Sequence, residues 1–289
     1  MGNTDQSSER AGDISGAIHF LARIPLYDTV KPFDISYNPG NGLPASNFQG
    51  ELHRVTVRDM RKYDLPYEQC GFRICSLDSA MKYEDYDHEA TIKDVHFPEV
   101  ESCVKEAMNA SFVKIFNFSQ RRRHPSFPIA TGEAYEYEQP ISRAHLDATF
   151  ESAKNVIRDG VGTKADELFV RPWQFVNIWH PIRGPLYDWP LAVCDVSSVD
   201  FDADTMPGDS VNENGIYENI QVHFNDNQKW YYVAGQQQSE LLIFKHADSQ
   251  IEDGVPYGVP HASFNIGTST DCKPEFLRES IEMAALVVW

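Results

Sequence analysis

Phe169-Val-Arg-Pro-Trp-Gln-Phe-Val-Asn-Ile-Trp179 is crowded with β-branched and aromatic residues, and it opens a series of similar runs separated by turn residues. The series continues with Leu191-Ala-Val-Cys194, Ile220-Gln-Val-His-Phe224, Trp230-Tyr-Tyr-Val233, Glu240-Leu-Leu-Ile-Phe-Lys245 and residues 281–289. Short apolar runs at this density predict an all-β core. Upstream, residues 17–23, 51–57, 71–75 and 112–118 have strand-like composition. Helical spacing is confined to residues 98–110, where Val100, Cys103, Val104 and Met108 recur, and to residues 149–157, with Phe150, Ala153 and Ile157 on one face before Gly160 and Gly162. Residues 25–47 and 200–218 read as surface loops. The expectation is a mainly β chain with flanking helices: a polar, disordered tail over residues 1–15 and one twisted β-sandwich domain over residues 16–289.

The chain has 289 residues, with 25 Lys and Arg against 43 Asp and Glu, giving a formal net charge of -18. Such a surface offers no footprint for a phosphate backbone, so nucleic acid is excluded as a partner. Cys70, Cys75, Cys103, Cys194 and Cys272 are odd in number and lack Cys-x-x-Cys spacing, which argues for reduced thiols in a cytoplasmic protein. The first residues are polar rather than a signal sequence, and no apolar stretch is long enough to span a bilayer. The oligomeric state stays open, a homodimer included.

The chemistry points to Gln139-Pro-Ile-Ser-Arg-Ala-His145-Leu-Asp147-Ala-Thr149. On an extended chain His145 and Asp147 share a face. With one distant histidine they would form a 2-His-1-carboxylate face that suits ferrous iron and leaves positions open for a co-substrate and dioxygen. His261, in Val259-Pro-His-Ala-Ser-Phe264, is the candidate. A second His-x-Asp, His246-Ala-Asp248, lies too close to His261 in sequence to unite opposite ends of a closed sheet, whereas His145 and His261 bracket most of the strands. The acidic stretch Tyr83-Glu-Asp-Tyr-Asp-His-Glu89 reads as a solvated loop rather than a metal cluster, and Arg121-Arg-Arg-His124 as a loop balancing nearby acids.

Five stretches in order resemble a known family: His145-Leu-Asp147, residues 177–192, Trp230-Tyr-Tyr232 with residues 240–249, Pro260-His-Ala-Ser-Phe264, and Arg278-Glu-Ser-Ile-Glu282. They are similar to the fungal hydroxylase/desaturase family related to gibberellin desaturase and cephamycin methoxylation proteins, over roughly residues 50–289. The resemblance implies a double-stranded β-helix, a cupin-like jelly roll. It also implies hydroxylation, desaturation or oxidative cyclisation of a small molecule in secondary metabolism, using Fe(II), 2-oxoglutarate and dioxygen. His145, Asp147 and His261 match the family's iron ligands, and Arg278 with Ser280 matches its Arg-x-Ser for the distal carboxylate of 2-oxoglutarate. A buried carboxylate independently calls for a guanidinium and a hydroxyl. Two positions depart from the pattern, with His180 and Ala284 where arginines are expected. His180 is then a candidate polar contact to substrate. Trp179, Trp230, Tyr231 and Phe264 are candidate aromatic walls, ordinary core being the competing reading. Two rivals remain: a cupin-like iron dioxygenase or isomerase independent of 2-oxoglutarate, and a non-catalytic small-molecule-binding jelly roll.

Overall fold

Period-two alternation decides which face each strand shows, and here it builds two facing sheets. A computed structural model describes residues 12–40, 42–129, 135–213, 215–251, 258–266 and 275–289. Among these, the strands are β1 (Ile14–Leu21), β2 (Phe33–Ile35), β3 (Gly50–Asp59), β4 (Phe72–Ser76), β5 (Phe112–Arg122), β6 (His145–Leu146), β7 (Trp173–Pro181), β8 (Leu191–Cys194), β9 (Thr205–Asn212), β10 (Gly215–Val222), β11 (Trp230–Tyr232), β12 (Glu240–Asp248), β13 (His261–Ser263) and β14 (Glu279–Val288). The larger sheet has the order β1-β3-β11-β8-β13-β6-β10-β9-β2 and the smaller β4-β12-β7-β14-β5. Strands far apart in sequence lie side by side in both, and the pairing is antiparallel except for β11 with β3 and β2 with β9. The result is a jelly roll.

Every position of β7 is buried, so the smaller sheet must be covered on both faces. Trp179 packs with Phe72, Leu242 and Phe244 in the core between the sheets, while Val176 and Ile178 join a second core on the opposite face. The helix Phe97–Ala107 covers that second face with Val100 and Val104, four residues apart and fully buried. Pro98 follows the π-helical turn Ile92–His96, which runs directly into this helix. The helix Phe150–Val161 starts at Thr149, whose hydroxyl accepts from the Ser152 N–H at 3.3 Å, and stops at Gly162, which takes φ 60°. Ala153 and Ile157 on this helix pack against Trp173, Phe175 and Leu286.

Some expectations change. Residues 165–169 are helical, so β7 begins at Trp173, after Pro172, rather than at Phe169. Residues 200–218 are not a loop: they form a helical turn, Phe201–Asp204, then β9 and the start of β10. This hairpin lies near one edge of the larger sheet, where one face meets water, and Ile216 is 70% exposed, so its polar composition hides a strand. In the segment 25–47, β2 pairs along the same hairpin. β1 starts at Ile14, inside the expected tail, and residues 1–11 lie outside the described residues. Cys70, Cys75, Cys103 and Cys194 are free thiols, and Cys272 lies outside the described residues. Among the described residues no helix is long and apolar enough to cross a membrane.

Candidate metal and co-substrate site

β6 is two residues long, yet it unites the site. His145 pairs with His261 of β13 on one side and with Gln221 of β10 on the other. Nε2 of His145 lies 3.1 Å from Asp147 Oδ1, and Nε2 of His261 lies 3.5 Å from the same oxygen. All the ligand atoms of this trio are within 4.8 Å of one another. Each ring is oriented through its other nitrogen, His145 Nδ1 lying 2.7 Å from the Arg143 carbonyl and His261 Nδ1 3.2 Å from that of Val259. An Nδ1–H donating to a carbonyl leaves the Nε2 lone pair aimed at Asp147. Lone pairs converging on a carboxylate repel one another unless a proton or a cation sits among them.

The titration behaviour carries the same message. Burial opposes charge on His261, but Asp147 outweighs it and raises the imidazole pKa. Burial and the neighbouring His261 lower that of His145. Partial desolvation in the cavity opposes ionisation of Asp147, whose side chain stays 40% accessible, yet His261, His145 and His246 hold its carboxyl well below the ordinary range. The metal-free trio thus draws a proton to the point where a divalent cation would sit, and two imidazoles with one carboxylate are a donor set that fits Fe(II).

A cavity of about 500 Å³ opens from this trio, walled by Phe175, Leu191, Asn117, Ser119, Glu282 and Ala284 among others. Arg278 also lines it, 1% exposed. Its Nε donates to Ser280 Oγ at 3.1 Å, its NH1 donates to the Trp189 carbonyl at 3.0 Å and to Ser263 Oγ, and its guanidinium lies 5.0 Å from the Trp179 ring centre. The Asp188 carboxylate accepts from the Arg278 backbone N–H at 2.7 Å and from Arg123 Nε at 2.6 Å. Among the described residues no carboxylate pairs with the Arg278 side chain itself. Burial, together with Arg121, pulls its pKa down to about 9, so it remains a cation at neutral pH.

The family described as "Oxidoreductase/YMDC permease-like domain" matches residues 18–288. The chain is 29% identical to alpha-ketoglutarate-dependent dioxygenase phiK of a fungal species, over 83% of this chain and 85% of that protein. It is 30% identical to hydroxylase/desaturase efuI of Hormonema carpetanum, over 81% of this chain and 83% of that one. The solved structure of the iron and alpha-ketoglutarate-dependent endoperoxidase NvfI has the same fold, with a TM-score of 0.78 at 24% identity over 96% of this chain and 98% of that one. The chain belongs to the fungal hydroxylase/desaturase family of Fe(II)/2-oxoglutarate-dependent oxygenases.

In this oxygenase the structure brings His145, Asp147, His261 and Arg278 together at one cavity. Ser280 is adjacent, but its hydroxyl is engaged by Arg278 Nε, and Ser263, not Ser280, lines the cavity beside the guanidinium. The aromatic residues require a correction. Trp179, Trp230, Tyr231 and Phe264 are all absent from the cavity lining and belong to the core between the sheets, Trp179 serving as the platform beneath Arg278. His180 is corrected too. It follows inward-facing Trp179 on β7 and so points to the helix-covered face, fully buried, with Nε2 2.5 Å from the Gln238 carbonyl and its ring stacked on His96 at 5.1 Å. Ala284, by contrast, does line the cavity, leaving space where the family pattern has a long cation.

Sequence reasoning passed over Asn177, Glu282, Ser263 and His246. His246 Nε2 sits 3.3 Å from Asp147 Oδ2, without the alignment of a hydrogen bond, so the rejected His-x-Asp packs behind the accepted one. The basic run is balanced by acids, Arg121 by Glu138 at 2.9 Å, Arg122 by Asp87 and Arg123 by Asp188, but it is not a loop throughout, since Arg121 and Arg122 end β5. The acidic stretch forms a short helical turn, Tyr83–Asp87, and contributes nothing to the trio of His145, Asp147 and His261.

Proposed function

We propose that His145, Asp147 and His261 hold Fe(II) in this oxygenase, that Arg278 receives the distal carboxylate of 2-oxoglutarate, and that the remaining cavity takes a small molecule for hydroxylation, desaturation or oxidative cyclisation. The observation that carries this reading is the convergence of two Nε2 lone pairs on Asp147 Oδ1 at the end of a cavity that also holds a buried, carboxylate-free guanidinium. Held by these three residues, Fe(II) would supply dioxygen activation coupled to the oxidative decarboxylation of 2-oxoglutarate to succinate and carbon dioxide. The protein's own residues orient and enclose. The Arg143 and Val259 carbonyls hold the two imidazoles in the ligating tautomer. Trp179, Ser263, Ser280 and the Trp189 carbonyl fix the guanidinium so that its remaining N–H groups meet an incoming carboxylate. Phe175 and Leu191 line the cavity with apolar surface beside the iron ligands.

A cupin-like enzyme without 2-oxoglutarate, or a binding module, would have no use for a cation buried at this cost, which favours the oxoglutarate reading. The family match over residues 18–288 supports one catalytic domain over residues 16–289, and the free thiols favour the cytoplasm. Incubation with Fe(II), 2-oxoglutarate and air should release succinate slowly without substrate and faster with an accepted fungal metabolite. Succinate release equal to that of a metal-free control refutes the reading.

A further inference from the structure

Asn177 lies on β7, in the stretch Asn177-Ile-Trp179, and is 4% exposed. Its Nδ2 is 2.6 Å from Asp147 Oδ2 and 2.6 Å from Glu282 Oε1. A primary amide nitrogen carries two hydrogens, so each carboxylate receives one. Turning the amide over would set its carbonyl oxygen against two anions, and only one orientation therefore fits. Ala284 of β14 pairs directly with Asn177, and Glu282 reaches the amide from two residues away on the same face of β14, along the cavity wall. Among the described residues, Asn177 is the one hydrogen-bond donor to Glu282.

We infer that Asn177, braced by Glu282, is a positioning residue that ties down Oδ2 of Asp147 and so commits Oδ1 alone to the metal. This rests on the iron assignment made above. A carboxylate held by one oxygen cannot rotate to chelate through both, and the coordination positions facing the cavity stay free for co-substrate and dioxygen. Glu282 keeps the amide from swinging away from Asp147.

The test is anaerobic titration of the full chain with Co(II), read by its visible absorption, in wild type, Asn177→Leu, Glu282→Leu, Glu282→Gln and His145→Ala. Asn177→Leu is near in size and removes both donors, and it should weaken Co(II) about 10–100-fold and change the band pattern. Glu282→Leu should weaken it about threefold to tenfold. Glu282→Gln keeps an acceptor oxygen and should restore affinity to within about twofold of wild type, a rescue that a general packing defect would not give. Should Asn177→Leu fail to fold, Glu282→Leu on the half-buried cavity wall decides. Wild-type affinity and spectrum in any folded Leu variant overturns the bracing role, as does a loss in Glu282→Gln equal to that in Glu282→Leu. If His145→Ala binds Co(II) like wild type, the iron assignment is what has failed. If His145→Ala alone loses it, the assignment stands and this inference falls.

Discussion

Replacing Arg278 with leucine separates the co-substrate from the metal. The guanidinium is 1% exposed, lies on the Trp179 ring, and spends Nε and NH1 on Ser280, Ser263 and the Trp189 carbonyl. Among the described residues its NH2 has no hydrogen-bond partner, and no carboxylate forms an ion pair with the group, although Glu282 and Asp188 lie close enough to act on its charge. A carboxylate arriving there gains charge-assisted hydrogen bonds worth about 1.5–3 kcal/mol each. Two such bonds, less the cost of stripping water from the carboxylate, leave about 3–4 kcal/mol. At about 1.4 kcal/mol per tenfold, Arg278→Leu should weaken 2-oxoglutarate by roughly two to three orders of magnitude while Fe(II) stays bound. Arg278→Lys keeps a point charge but loses the planar fork, so it should fall in between. The assay is anaerobic titration of 2-oxoglutarate into the iron-loaded protein, followed by the visible charge-transfer band. With a pKa of about 9, wild-type affinity should hold through neutral pH and decline only as pH rises past that value. Wild-type affinity in Arg278→Leu would refute the assignment of the anchor.

The buried stack of His96 and His180 has pKa values depressed by burial to about 3 and about 4, so these rings are neutral in the fold but bind protons near pH 6.5 when unfolded. Their contribution is whole above that pH and fades as pH falls towards 4, His180 alone losing about 2 kcal/mol by pH 5. Urea midpoints at pH 7.5 and 5.0 should show this, with a smaller difference in His180→Gln; an unchanged difference would contradict a buried neutral ring. Because the pKa of metal-free His261 is raised, metal must displace its proton. Co(II) affinity should drop by up to about tenfold for each pH unit below that pKa and level off above it, and a flat profile between pH 6 and 8 would be contrary. His246→Ala should retain the metal with no more than about tenfold weakening, since His246 touches Asp147 from behind at 3.3 Å. Loss of bound metal in that variant, measured by dialysis, would make His246 a ligand.

The two-sheet architecture was legible because strands buried on both faces, such as β7 and β12, are nearly continuous apolar runs. The convergence of His145, Asp147 and His261 was legible because two residues on an extended chain share a face and the strands between His145 and His261 had to close. β9 was not, since a half-exposed strand near an edge has the composition of a loop. Pairing Trp179 with His180 in one pocket ignored alternation, which the sequence alone could have corrected. Burial in the inter-sheet core is a matter of layers, so nothing local told Trp230, Tyr231 and Phe264 from a pocket wall. Asn177 did leave a signal: a lone amide amid Phe175-Val and Ile-Trp179 needs a buried partner. Glu282, an acid within the apolar run of β14, left the same signal, and Ser263 could have been placed beside His261 by its spacing of two.

If His145, Asp147 and His261 together hold Fe(II), removing any one of them should empty the site. Anaerobic equilibrium dialysis against Fe(II), with bound metal counted by mass spectrometry, reads this out. Wild type should bind one iron per chain, while folded His145→Ala, Asp147→Ala and His261→Ala should each lose it. Stoichiometric iron retained by any of the three at wild-type affinity would contradict the site.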